Sequence, residues 1–141
     1  MQPNNPQTTG LPQILVADDD PAILRLIKAV VEKEGFSVIM ARDGREAYKC
    51  LQSDEFVAAI LDVVMPHIQG TELARFMQSE ERLKNIPVMI MTAEQNPRLS
   101  SDSFAAGAVV FLPKPFTNNQ LQVMLRMLIG KTHALNSKKV R

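Results

Sequence analysis

Five short apolar runs constrain this chain more than any other feature. They are Ile14–Ala17, Ser37–Ala41, Phe56–Leu61, Pro87–Met91 and Val109–Leu112. Each is too short for a helix and rich in branched or long apolar side chains, which predicts buried strands. Helical periodicity fills the intervals. After the first run, Ile23, Leu24, Leu26, Ile27, Val30 and Val31 share one side of a helix, while Arg25, Lys28 and Glu32 face away. Asp20 before Pro21 is a helix start, with an acceptor side chain at the cap and proline at the first helical position. Gly35 ends that helix.

The later helices follow the same logic. Asp43-Gly44 opens one that runs to about Ser53, with Ala47, Cys50 and Leu51 inward. Another follows Gly70 to about Ser79, with Leu73, Phe76 and Met77 inward. The serines near residues 98–106 make a weaker helix, which Gly107 closes. The last helix is expected from about Asn118 to Ile129, with Gly130 as its stop. Strands alternating with helices predict an α/β fold with a parallel sheet covered on both faces and right-handed crossovers. For five strands the expected arrangement is a flavodoxin-like (βα)5 three-layer sandwich with strand order 2-1-3-4-5.

A chain of 141 residues suits one domain. Its expected extent is residues 13–129. Residues 1–12, rich in Pro, Asn, Gln and Thr, read as a disordered lead-in, and residues 130–141 as a basic tail. The formal net charge of +1 argues against direct nucleic-acid binding. The lone Cys50 allows no internal disulfide, and no apolar run is long enough to span a bilayer. The amino terminus lacks the pattern of a signal peptide. Together these point to a cytoplasmic protein without a membrane partner.

The ends of the apolar runs carry the chemistry. Asp18 and Asp19 close the first, Asp62 the third, Thr92 the fourth, and Lys114 follows the fifth. In the expected strand order the first and third strands are neighbours at the point where the order reverses, and such sheets place their sites there. Three carboxylates so close repel one another and require a cation. Carboxylate oxygens, a strand-end carbonyl and waters suit Mg²⁺. A carboxylate nucleophile beside an ammonium and a hydroxyl forms a phosphoryl-transfer site. Asp62 attacks, Lys114 neutralises a transferring oxygen and Thr92 donates to another.

With these residues assembled, the chain resembles the receiver domains of two-component response regulators, of the single-domain chemotaxis type. The matching pieces are Ile14 to Pro21, Asp62-Val63-Val64-Met65-Pro66 with Gly70, Thr92-Ala93, and Ala106-Gly107-Ala108 through Lys114-Pro115-Phe116. The resemblance implies that Asp62 is the phosphoacceptor. It implies Asp19 as a direct Mg²⁺ ligand, Asp18 as one acting through water, and the Val64 backbone carbonyl as a further ligand. Asp62 completes that set. Thr92 and Phe111 would be the switch residues, and a cis bond before Pro115 would aim Lys114 into the site. The phosphoryl group would come from a histidine kinase or a histidine phosphotransfer protein. Such a domain catalyses only its own phosphorylation and dephosphorylation, so it is not expected to be an enzyme with a separate substrate.

The chain departs from the family pattern at Val109 and Val110, where polar residues are usual. On the last helix, Leu121, Met124, Leu125, Leu128 and Ile129 form one arc, while Val123 and Met127 project elsewhere. The expected consequence is an apolar face of fourth helix, fifth strand and fifth helix that meets a downstream protein or, after phosphorylation, a second copy. His67 reads as an exposed loop residue. Two other activities remain open on the same fold. A Mg²⁺ phosphohydrolase would need a second acid where Val64 stands. A nucleotide or FMN binder would need a glycine- or hydroxyl-rich first loop where Asp18 to Asp20 stand.

Overall fold

Strands β1 (Gln13–Ala17), β2 (Ser37–Ala41), β3 (Ala58–Asp62), β4 (Val88–Thr92) and β5 (Val110–Pro113) form one sheet. Their order is β2-β1-β3-β4-β5 and every pairing is parallel. Five helices connect and cover them: α1 (Pro21–Lys33), α2 (Gly44–Ser53), α3 (Gly70–Ser79), α4 (Leu99–Ala105) and α5 (Asn118–Val140). This is the flavodoxin-like sandwich expected from the strand and helix alternation. The computed structural model describes residues 10–140, and the side chains of residues 10–130. Residues 1–9 of the expected lead-in and the side chains of the tail from residue 131 lie outside them. No helix among the described residues is long and apolar enough to cross a membrane.

Alternation along the central strands builds two cores. Leu15, Ala59, Leu61 and Ile90 face one side, where they pack with Leu51 of α2 and Leu73 and Met77 of α3. Ile14, Val16, Ile60 and Met89 face the other, against Leu24 and Ile27 of α1 and Leu121, Leu125 and Leu128 of α5. A side-chain period of two on a sheet buried on both faces requires apolar residues at every position, which is why these strands read as continuous apolar runs. Full burial of one such Leu or Ile contributes about 1.5–3 kcal/mol.

The start of α1 follows the sequence closely. The Asp20 carboxylate accepts from the Ala22 N–H at 2.9 Å, with Pro21 in the first turn. At its end Gly35 takes φ +93 and donates to the Glu32 carbonyl. Several boundaries differ from expectation, two of them most. The third strand begins at Ala58 and includes Asp62, because Asp62 pairs in register with Met91 and the next amide, Val63 N–H, donates to the Met91 carbonyl. The last helix does not stop at Gly130 but continues to Val140. An interior glycine costs a helix only about 1 kcal/mol relative to alanine, and Lys131, Ala134 and Leu135 are good helix formers.

Helix α4 is the shortest of the five. Leu99 and Ser103 are its buried residues. The Ser103 hydroxyl is fully buried and has no hydrogen-bond partner among the described residues. A buried, unpaired hydroxyl carries its desolvation cost without compensation. Ser103→Ala is therefore expected to stabilise the protein by about 1 kcal/mol, seen as a higher midpoint in thermal or urea unfolding.

Candidate functional site

The polar residues at the carboxyl ends of the strands meet at one rim. Asp18 follows β1, Asp62 ends the adjacent β3, Thr92 ends β4, and Lys114 follows β5. The Lys114 N–H donates to the Thr92 carbonyl at 2.8 Å, which continues the β4–β5 pairing to the lysine. The Lys114–Pro115 bond is cis, as the family resemblance implies. The Lys114 ammonium lies 2.6 Å from one Asp18 oxygen and 3.4 Å from an Asp62 oxygen. The other Asp18 oxygen accepts from the Asp20 N–H at 2.9 Å. Asp18 is fully buried, Asp62 nearly so, and Asp19 is exposed. One carboxylate oxygen from each of Asp18, Asp19 and Asp62 falls within 4.8 Å of the others.

Electrostatics follow from this crowding. Burial, reinforced by the negative charge of Asp18, pushes the Asp62 carboxyl up to about 6 against the opposing pull of Lys114. Burial alone would lower the Lys114 ammonium, but its hydrogen bond to Asp18 and the charges of Asp62 and Asp18 raise it instead. One ammonium cannot balance three ionised carboxylates. The deficit and the all-oxygen donor set fit a hard divalent cation that keeps some of its waters. An acceptor carboxylate, an ammonium and a hydroxyl around such a cation constitute a site able to receive a phosphoryl group.

Two glycines let helices press against the segment that follows Asp62. A Cβ at Gly70 would lie 2.2 Å from the Asp62 carbonyl oxygen, and the Gly70 N–H donates to the Val63 carbonyl at 3.0 Å. A Cβ at Gly44 would lie 1.9 Å from the Ile68 carbonyl oxygen, and the Gly44 N–H donates to the Pro66 carbonyl at 3.2 Å. The starts of α2 and α3 therefore position residues 62–70. From the sequence, Gly44 stands as a helix start, and Gly70 as a helix start and a member of the motif that begins at Asp62. Their close approach to backbone 24 and 8 residues away had no local signal.

The remaining residues singled out from the sequence fall as follows. Thr92 is buried, and its hydroxyl oxygen accepts from the Glu94 N–H at 3.0 Å, leaving its hydrogen to donate. Phe111 is half-buried against the core on the α2, α3 and α4 side. Val64 is exposed on the segment after Asp62. His67 is exposed, as expected, and is held by Arg45. Phe104, Val109, Val123 and Met127 are exposed apolar residues on α4, beside β5 and on α5. Val110 is not part of that surface. It is buried, because it follows the exposed Val109 and strand alternation turns it inward against α5.

Known proteins resemble this chain over most of its strands and helices. A sequence profile of the response regulator receiver domain matches residues 14–126. The response regulator MprA of Mycolicibacterium vanbaalenii is 36% identical over 120 residues, which are 85% of this chain and 51% of that protein. The chain thus spans about half the length of the curated relatives it matches. A CheY-like receiver domain protein from Methanospirillum hungatei superposes with a TM-score of 0.81 at 26% identity, over 89% of this chain and 98% of that one. The receiver domain of the sensor histidine kinase PA1611 from Pseudomonas aeruginosa, described with a magnesium ion coordinated in its active site cleft, superposes with a TM-score of 0.76 at 26% identity. That match covers 86% of this chain and 99% of the other.

Proposed function

This chain belongs to the response regulator receiver domain family, and we propose that it is a signalling switch operated by phosphorylation of Asp62. The observation that carries the proposal is the convergence of Asp18, Asp62 and Lys114 from three strands. One ammonium reaches both buried carboxylates at 2.6 and 3.4 Å. Asp18, Asp19, Asp62 and the Val64 carbonyl would hold Mg²⁺, which supplies charge neutralisation for the phosphoryl oxygens. The magnesium described in the PA1611 receiver domain supports that assignment.

The chain's own residues account for the transfer. An Asp62 oxygen forms a bond to phosphorus as the bond from phosphorus to the donor's histidine nitrogen breaks, and the freed imidazole takes up a proton. The Lys114 ammonium pairs with charge on the transferring oxygens, and the free Thr92 hydroxyl hydrogen donates to another. The product is an aspartyl phosphate, and no separate substrate is turned over. The donor would be a histidine kinase or histidine phosphotransfer protein, in the cytoplasm.

Output requires that the states with and without phosphate bind partners differently. Thr92 and Phe111 would couple the phosphoryl group to the face formed by α4, β5 and α5. Exposed Phe104, Val109, Val123 and Met127 would there meet a downstream protein or a second phosphorylated copy. The test uses a small acyl phosphate donor with Mg²⁺ and intact-mass measurement. Wild type is expected to gain one phosphoryl group and Asp62→Asn none. Equal incorporation by the Asn variant would move the acceptor elsewhere and end the proposal.

A further inference from the structure

His67 is the only non-glycine residue with positive φ among the described residues, at 75°. Side chains disfavour that left-handed region, so something must hold this one there. The neighbouring contacts come from the start of α2. The Pro66 carbonyl accepts from the Gly44 N–H at 3.2 Å and from the Ile68 N–H at 3.0 Å. The Ile68 backbone lies against Gly44, with no space for a Cβ. The Arg45 guanidinium then reaches the His67 Nδ1 at 3.1 Å. Consecutive residues 44 and 45 thus grip residues 66, 67 and 68. The start of α2 is itself capped, since the Asp43 carboxylate accepts from the Glu46 N–H at 2.8 Å and the Glu46 carboxylate from the Arg42 N–H at 2.7 Å.

We propose that Arg45 is a positioning residue for the segment between β3 and α3. Its guanidinium holds His67 in the left-handed conformation, and this sets the path of residues 63–68. The inference rests on the reading above insofar as that segment carries the Val64 carbonyl toward the cation site. The contact is exposed, and an exposed polar pair on an unstrained backbone contributes little. Here it acts on a residue whose backbone conformation resists its side chain. A glycine adopts positive φ without that resistance. Arg45 therefore matters only while residue 67 carries a side chain.

The experiment is a double-mutant cycle in the full chain with Arg45→Ala, His67→Gly and both changes. Amide hydrogen exchange of residues 63–65, 67 and 68 is measured without metal, and Mg²⁺ affinity by amide chemical shifts. Arg45→Ala is expected to speed exchange in the segment and weaken Mg²⁺ about threefold, the order set by one hydrogen bond. The double variant is expected to match His67→Gly alone. Loss of a positive charge acting only through the field would tighten Mg²⁺ instead, and that result would overturn the proposal. So would unchanged exchange in Arg45→Ala, or an equal effect of Arg45→Ala in both backgrounds. If wild type binds no Mg²⁺ at all, the functional reading fails, and the exchange rates alone decide whether Arg45 positions the segment.

Discussion

Metal-free protein carrying Asp62→Asn is expected to be more stable than wild type at pH 7.5, by up to about 3 kcal/mol. The Asp62 carboxyl is shifted from an ordinary value of 3.8 to about 6 by burial and by Asp18. Below pH 4 the group is protonated in both folded and unfolded chains, and the substitution changes little. Between pH 4 and 6 the folded chain holds a proton that the unfolded chain has released, so wild-type stability falls as pH rises. Above pH 6 the full cost of the buried charge is present. Urea unfolding in a chelator at pH 4, 6 and 7.5 should show the advantage of the Asn variant growing across that window. A gain independent of pH would mean that the Asp62 charge is not what the substitution relieves. Added Mg²⁺ should narrow the gap by stabilising wild type more than the variant.

Lys114→Ala should have the opposite sign and a similar size. It leaves the buried Asp18 and Asp62 carboxylates without their ammonium, and breaking a buried pair from one side costs about 3–5 kcal/mol. The expected loss at pH 7.5 without metal is about 3 kcal/mol, since the lysine retains some exposure. The loss should shrink as pH falls below about 6, where Asp62 takes up a proton. A carboxyl-carbon NMR titration should also show Asp62 moved further upward, because Lys114 pulls it down in wild type. Arg126→Ala is the control. It breaks a pair with Glu34 in which the arginine is 65% exposed. Such a pair is worth less than about 1 kcal/mol. Equal losses from the two substitutions would show that Lys114 is not coupled to the buried acids.

Both predictions depend on a site whose members were visible one at a time in the chain. Asp18, Asp19, Asp62, Thr92 and Lys114 stand out because each follows or closes an apolar run, and a strand buried on both faces makes its first polar residue conspicuous. Helix α1 was equally plain, since Asp20, Pro21 and Gly35 act within a few residues of one another. Signals of this kind are local, and local periodicity and capping survive without knowledge of the fold.

Other features required the packed chain. Whether Asp62 lies beyond or within β3 depended on its pairing with Met91. Gly130 looked like a stop, but its conformational cost is small enough for the rest of the helix to absorb. Val109 and Val110 looked alike until the sheet turned one outward and the other inward. The grip of Arg45 on His67 joins residues 22 apart in different elements, and no spacing rule connects them. Which segments become strands and helices, and which polar groups sit at their ends, is legible in the chain alone, because those properties arise within a few residues. How close those groups come, and what holds the segment beside them, emerges only from the packed molecule, because distance across a sheet and contact between helix starts are properties of the assembled layers.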